Sequence, residues 1–413
     1  MPKVMQYTKG SIVYFEGDKD DRIFILQKGH AVSTTTDIET KEPITEQIKN
    51  GEFFGVKSAL GHFPREETVT VLTDTLCVSL SVPEFEAMFG GNKAVMMKML
   101  RVFSGQLRQV HKKIETILNQ DLTINPMTAM LSVAQAFYDD ERFRSCCDVC
   151  ISFLKRYPNY YEKNEVVKLY TMAKAQADRQ KNISTDEDLG DEVIAPSALR
   201  QFALPAFQRF AKNYDSGQVI ICEFEPGDCF YLIQSGKVQL VKCVNGTNKN
   251  LDILKPGEFF GEMAILDNSP RSATCMAAGP VQCLEFSKAN FELLVTGNPQ
   301  IALMLLKLFC KRIYDQKRRL KILVISDIQA RIADVFVMLD EMNPISASNK
   351  SFRRFDVTIQ DIARWAGLSL DLTRTEIDKY IAMHKIEVFE NHMIVHSIAD
   401  MQRMANNGQI SRN

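Results

Sequence analysis

The stretch best equipped for chemistry is Phe260–Thr274, FGEMAILDNSPRSAT. Arg271 offers a planar guanidinium that can grip an anion at two points at once. Ser272 adds a hydroxyl, and the turn after Pro270 can aim backbone N–H groups inward. An anion taken out of water needs that combination of a cation and hydrogen-bond donors. Glu262 is an acceptor suited to a ligand hydroxyl, and Gly261 lets a ligand approach the main chain. The same Glu262 and Arg271 could instead form a structural ion pair across an empty loop.

Other reactive side chains are scattered. Cys147 and Cys150 form a CxxC beside Cys146, but the surrounding pattern is helical and no second CxxC or nearby histidine completes a metal tetrad. These thiols are expected to fill a core, in a reduced, cytoplasmic setting. No nucleophile–base pair, metal motif or P-loop is visible, so neither an enzyme nor a bound cofactor is expected.

The elements around Arg271 occur twice. GEFFG stands at Gly51–Gly55 and again at Gly257–Gly261. IFILQKG ending at Gly29 answers FYLIQSG ending at Gly236, and Pro64-Arg65 answers Pro270-Arg271. A constant offset of 206 or 207 residues marks a duplicated domain. Short β-rich runs punctuated by glycine, such as RIFILQKG and KVQLVKCVNG, predict an antiparallel β-roll in each copy.

Between the copies the period turns helical. Ala134, Phe137, Cys146 and Pro158 are spaced as in one tetratricopeptide-type helix pair, which cannot bury its own face and so should space or dock the β-domains. Residues 182–195 carry five acidic residues and no basic one, and are expected to form a solvated hinge.

With these residues in view, the second copy, from about Gly217 to Asn298, closely resembles the cyclic-nucleotide-binding domains of the Crp/Fnr family. The resemblance implies a regulatory ligand, a cyclic nucleotide and in the first place cAMP. Gly261, Glu262, Met263, Ala264, Arg271, Ser272 and Ala273 would bind it, with Glu262 on the ribose 2′-hydroxyl. An iron–sulfur alternative fails on the spacing of Cys222, Cys229 and Cys243, and a haem ligand is hard to place because no histidine lies between His111 and His384. The first copy departs from the pattern. Arg65 remains, but Val56 stands at the acidic position, and Glu66 and Glu67 would repel an anion and can neutralise Arg65. It is expected to be a degenerate, structural or docking domain, the alternative being a ligand other than a cyclic nucleotide.

After Pro299 a helix is expected to about Ser326, with Ala302, Leu306, Phe309, Ile313, Leu320 and Leu323 in a 4,3 seam and Gln316 in its gap. In the family such a helix forms a homodimer, here through 299–326, although the seam could instead pack within the chain, for instance on the first β-domain; a Thr-Ser pair on the helix reads adenine in the family. Gln316 and Lys317 fall at that place; the glutamine amide can donate and accept, so it could still read adenine, and the departure leaves cAMP, cGMP and another nucleotide open. From Asp327 the chain resembles a winged helix-turn-helix, with Thr358 and Asp361 as a capping box and Gly367 at the turn. The resemblance makes Thr358, Gln360, Ser369, Leu370, Asp371, Arg374 and Thr375 the residues that would meet DNA. Residues 327–413 nevertheless hold 10 Lys and Arg against 12 Asp and Glu, unusual for a DNA-binding module. Lys350, Arg353 and Arg354 form the best local cluster for phosphates.

The expected protein is therefore multidomain α+β. A degenerate β-roll spans 1–120, a helical linker 121–195, a ligand-binding β-roll with its long helix 196–326, and a winged helix 327–413. The whole chain of 413 residues has net charge −1, so no global field draws it to nucleic acid or membrane. Its opening MPKVMQYTKGSIVYF predicts no secretory leader. Two functions compete: a ligand-controlled transcription regulator, and a ligand-sensing scaffold whose last domain binds protein.

Overall fold

The computed structural model describes residues 2–118, 126–180, 205–244, 246–342 and 352–410. The expected acidic hinge and Lys350 lie outside them. Alternating apolar runs build the first repeat: β1 (Lys3–Tyr7), β2 (Ile12–Tyr14), β3 (Ile23–Lys28), β4 (Ala31–Thr36), β5 (Pro43–Ile48), β6 (Phe53–Phe54), the short helix α1 (Val56–Gly61), β7 (Thr68–Val71) and β8 (Thr75–Leu80). They form two four-stranded sheets, β1-β8-β3-β6 and β2-β7-β4-β5. Phe24, Leu26, Phe54 and Cys77 from one sheet meet Tyr14, Ala31, Ile48, Val69 and Val71 from the other in a single core, as a β-roll requires. Helices α2 (Val82–Gly90) and α3 (Lys93–Leu118) follow.

The insert contains three helices rather than a pair: α4 (Pro126–Asp139), α5 (Phe143–Arg156) and α6 (Lys163–Gln180). Ala134, Phe137, Cys146, Cys150 and Phe153 are fully buried, in a core that continues into Cys222, Val241 and Met276 of the second β-domain. The thiols thus serve as core residues. Ser145 donates to the Gly217 carbonyl (2.7 Å), and Asp148 accepts from the Val219 N–H (2.9 Å). The insert is docked on the second repeat.

That repeat comprises α7 (Pro205–Gln208), β9 (Ala211–Tyr214), β10 (Val219–Ile221), β11 (Cys229–Val244), β12 (Thr247–Leu254), β13 (Phe259–Phe260), α8 (Glu262–Asp267), β14 (Thr274–Ser287), α9 (Lys288–Gly297) and α10 (Pro299–Leu323). Its strands form one antiparallel sheet with β10-β14-β11-β12 as its path. Element by element it repeats the first copy, with α8, α9 and α10 standing for α1, α2 and α3.

The C-terminal part runs α11 (Ile328–Met342), β15 (Arg353–Phe355), α12 (Ile359–Ala366), α13 (Leu370–Ala382), β16 (Ile386–Val388), β17 (Met393–Val395) and α14 (Ile398–Ile410). Its sheet has the order β15-β17-β16, and Phe336, Ile362, Ile377, Tyr380 and Val395 lie in one core. Gly367 ends α12 at φ 67°, a left-handed position that suits glycine and turns the chain into α13.

Two compact units cut across the boundaries expected from sequence. One is 1–33, 47–109 and 121–311; the other is 34–46, 110–120 and 312–413. The second unit draws in the end of α3 because Val110 and Ile114 share an apolar cluster with Ile38, Leu320 and Leu323. Asp37 pairs with Lys113 at 2.9 Å, and Arg318 grips Asp334 with two hydrogen bonds of 2.7 Å.

Of the two covers expected for the seam of 299–326, a second chain or its own, the structure shows its own. Ala302, Leu306, Phe309 and Ile313 are 0% exposed in a single chain, Leu320 2% and Leu323 4%. The seam is consumed within the chain, so any homodimer must use another surface. Phe309→Glu is accordingly expected to destabilise a monomer, by about 3 kcal/mol or more from burying an unpaired charge. Light scattering combined with thermal unfolding tests this, and a wild-type dimer split by the substitution would contradict it. Among the described residues no single helix is long and apolar enough to cross a membrane.

Candidate functional site

The second cassette is a loop held from three sides. Its first anchor is Gly261, at φ 80°, where a β-carbon would stand 2.8 Å from Arg271 Nη1 and 2.8 Å from Ile221 Cδ1. A side chain there would displace the arginine, which is why glycine is needed. Arg271 Nη1 donates to the Gly261 carbonyl (2.7 Å), and the Arg271 main chain exchanges hydrogen bonds with Phe224 and Glu225. Arg271 is 6% exposed and Glu262 1%. The only carboxylate among the described residues within salt-bridge range of Arg271 is Asp228, at 3.9 Å and 91% exposed. The structural Glu262–Arg271 ion pair is therefore not what this loop contains.

A second anchor was not legible in the sequence. Lys242 on β11 pairs with Glu223 at 2.9 Å and donates to the Ser272 carbonyl (3.1 Å). Glu223 is fully buried, and its N–H donates to Thr274 Oγ1 (3.0 Å). This pair braces the loop at Ser272 and Thr274. A third comes from outside the repeat: Arg108 on α3 donates to the Pro270 carbonyl (3.3 Å). Nothing in the sequence places residue 108 beside residue 270. Met263, Ala264 and Ala273 are buried and Ser272 is partly exposed, so the cassette brings together Gly261–Ala264 and Arg271–Ala273. Gln316 is buried on α10.

The first cassette has the same backbone and different chemistry. Gly55 is again left-handed at φ 73°, and Arg65 Nη1 again donates to its carbonyl, at 2.7 Å. Here both terminal nitrogens of the guanidinium are engaged. It also donates to Ser58 Oγ (2.8 Å) and the Arg22 carbonyl (2.5 Å), lies 3.6 Å from Asp20, and sits 4.3 Å from the Tyr14 ring centroid. Val56 is buried at the acidic position. Glu66 and Glu67 do not neutralise Arg65 as expected. They face Lys57, at 3.4 and 3.9 Å, because the next residue of α1 supplies a nearer cation.

The residues expected to meet DNA divide in two. Thr358 caps α12 in a reciprocal box with Asp361, and Ser369 caps α13. Gln360, Asp371, Arg374 and Thr375 are exposed, Leu370 is partly covered, and Thr375 Oγ1 donates to the Asp371 carbonyl (2.9 Å). Arg353 is a correction. It is 7% exposed, 2.7 Å from Asp340 and stacked near Phe355, since alternation along β15 turns it inward. Arg354 points outward and pairs with Asp356 at 3.0 Å.

Comparison with known proteins agrees with this duplicated architecture. The cyclic nucleotide-binding domain model matches twice, at residues 4–92 and 211–298. A cyclic AMP receptor protein of Thermus thermophilus is 31% identical over 147 residues, 35% of this chain and 67% of the relative. The chain belongs to the CRP/FNR family. Another relative of this CRP/FNR protein is a CRP-like cAMP-activated global transcriptional regulator of Mycobacterium tuberculosis, 26% identical over 46% of the chain and 87% of the relative. Among solved structures, a c-di-GMP-responsive global regulator from Xanthomonas campestris aligns with 45% of the chain and 93% of its own, at 20% identity and a TM-score of 0.39. The second model match encloses Gly261–Thr274, and the first encloses the altered cassette of Gly55–Glu67.

Proposed function

We propose that the protein is a cyclic-nucleotide-responsive transcription regulator that binds one ligand, cAMP, in its second β-domain. The observation that carries this reading is Arg271, 6% exposed, with no buried carboxylate among the described residues within salt-bridge range and set on a braced turn. The cyclic phosphate would take the open edge of that guanidinium together with Ser272 and the turn N–H groups. The ribose 2′-hydroxyl would donate to Glu262, and Gly261 would allow the sugar to approach. Binding changes the relative stability of two arrangements of the cassette, which is how a ligand moves a distant element.

The output would be a winged helix-turn-helix made by α11–α14, with α13 as the reading helix. Exposed Arg374, which has no ion pair among the described residues, can donate to guanine, and exposed Asp371 can accept from cytosine N4. The second reading, a cyclic-nucleotide-sensing scaffold, is favoured by one observation: Arg353 is withdrawn into an ion pair with Asp340, which leaves the face poor in phosphate-binding cations. Selection from a random duplex library at low salt, with and without cAMP, tests the pair. A ligand-dependent preference that relaxes in Arg374→Ala is expected, with about 1–3 kcal/mol of discrimination lost at one base pair. No preference for any duplex would replace the regulator with the scaffold.

A further inference from the structure

Three successive carbonyls on the turn of the second cassette are each held by a donor from a different part of the chain. Pro270 accepts from Arg108 on α3 (3.3 Å), Arg271 from the Phe224 N–H (3.1 Å), and Ser272 from the Lys242 ammonium on β11 (3.1 Å). A trans peptide sets its N–H opposite its C=O. Each grip therefore also decides where the next N–H points. That of Arg271 goes to the Glu225 carbonyl at 2.7 Å. Those of Ser272 and Ala273 are turned away from Phe224 and Lys242, in succession, which is the form of an anion-binding concavity.

The Lys242 grip depends on a charged pair that the first repeat does not carry. By the offset of 207 that relates Gly29 to Gly236, Glu16 stands at the place of Glu223 and Thr35 at that of Lys242. The backbone bears out this match. The Glu16 N–H donates to Thr68 Oγ1 at 3.0 Å, as the Glu223 N–H does to Thr274 Oγ1. The Gly17 N–H donates to the Arg65 carbonyl at 2.9 Å, as Phe224 does to Arg271. The side chains differ: Glu16 is exposed and Thr35 has no charge, whereas Glu223 is 0% exposed and pairs with Lys242 at 2.9 Å. The Cys243 N–H donates to Glu223 Oε2 (3.3 Å) and Val241 packs in the core of the insert, so the strand is fixed on both sides of Lys242. A buried ion pair commonly adds little net stability, because desolvation offsets the attraction. What this one supplies is the place at which it holds the ammonium.

We propose that Lys242 is a positioning residue for the ligand's anion: by holding the Ser272 carbonyl it aims the Ala273 N–H at the bound phosphate, and Glu223 keeps the ammonium there. The proposal rests on the second cassette being the anion site of the proposed function.

Calorimetry and amide NMR on the full chain test it, with cAMP and inorganic phosphate as probes. In the wild type either anion should move the Ala273 amide proton downfield, as a hydrogen bond to a charged acceptor does. Lys242→Met combined with Glu223→Gln removes both charges and strands neither. That variant should bind cAMP about tenfold more weakly, as expected for the loss of one hydrogen bond to a charged group. Its Ala273 shift at saturation should shrink, which a merely stabilising ion pair would leave alone. Affinity within about twofold of wild type in the folded variant, or an Ala273 shift of wild-type size, overturns the proposal. Should the variant not fold, the wild type decides, because an Ala273 amide unmoved by both anions also overturns it. A wild type that ignores cAMP while its Ala273 amide responds to inorganic phosphate removes the nucleotide reading and leaves this one standing.

Discussion

Arg271→Ala is expected to weaken cAMP binding by more than about a hundredfold while the second domain stays folded. A hydrogen bond to a charged group is worth about 1.5–3 kcal/mol, and every 1.4 kcal/mol is about tenfold in affinity. A two-point grip on a phosphate loses two such bonds at once, and the anion is left in a loop with no other open guanidinium. The fold should survive because the side chain contributes only one strong internal bond, to the Gly261 carbonyl. The loop itself is braced independently by Lys242 and Glu223. Titration calorimetry should give one site per wild-type chain and none in the variant. Two equivalent wild-type sites, or unchanged affinity in Arg271→Ala, would remove Arg271 from the ligand.

Arg65→Ala should do the reverse: leave binding intact and cost stability. Arg65 is 2% exposed and satisfies Gly55, Ser58 and Arg22 while pairing with Asp20 and covering Tyr14. Its loss removes donors from the Gly55 and Arg22 carbonyls and from Ser58 and uncovers Tyr14, while Asp20 keeps its pairing with Arg22 at 2.9 Å, a change that costs about 2–3 kcal/mol. Urea unfolding followed by a probe of the first domain should show that loss as an earlier transition, with cAMP affinity within about twofold of wild type, as expected for distant independent sites. Two arginines at equivalent places in a duplicated fold would thus have opposite phenotypes. If Arg65→Ala instead abolished binding at unchanged stability, the first cassette would be the ligand site.

Much of this was legible before the structure. The 206–207 offset located both β-rolls, and the departures at Val56, Glu66 and Glu67 marked the first as altered. What each carboxylate touches was not legible. Linear order puts Arg65 next to Glu66, whereas the fold turns the arginine under Gly55 and leaves the carboxylates to Lys57. Arg353 was misread for a related reason: a basic run looks uniform, but a strand sends neighbours to opposite faces. The spacing marks the α10 seam as buried and leaves two covers open, a second chain or the chain itself; the structure shows the second of these. A 4,3 pattern reports that a face is buried and is silent on whether the cover comes from a second chain or from the same one. Lys242, Glu223 and Arg108 left no signal, since single charged residues far apart in sequence meet only in the folded loop.

The buried seam of α10 has a consequence for how the protein behaves at low abundance. In a two-chain receptor the halves must find each other, and their association falls away on dilution. Here the two halves are tethered, so their effective concentration is set by the connecting chain and is the same at any copy number. The pairing also cannot be scrambled by exchange with a related polypeptide. A duplicated gene product of this kind can keep one half sensitive and let the other drift, because the drifting half never has to serve as its own partner.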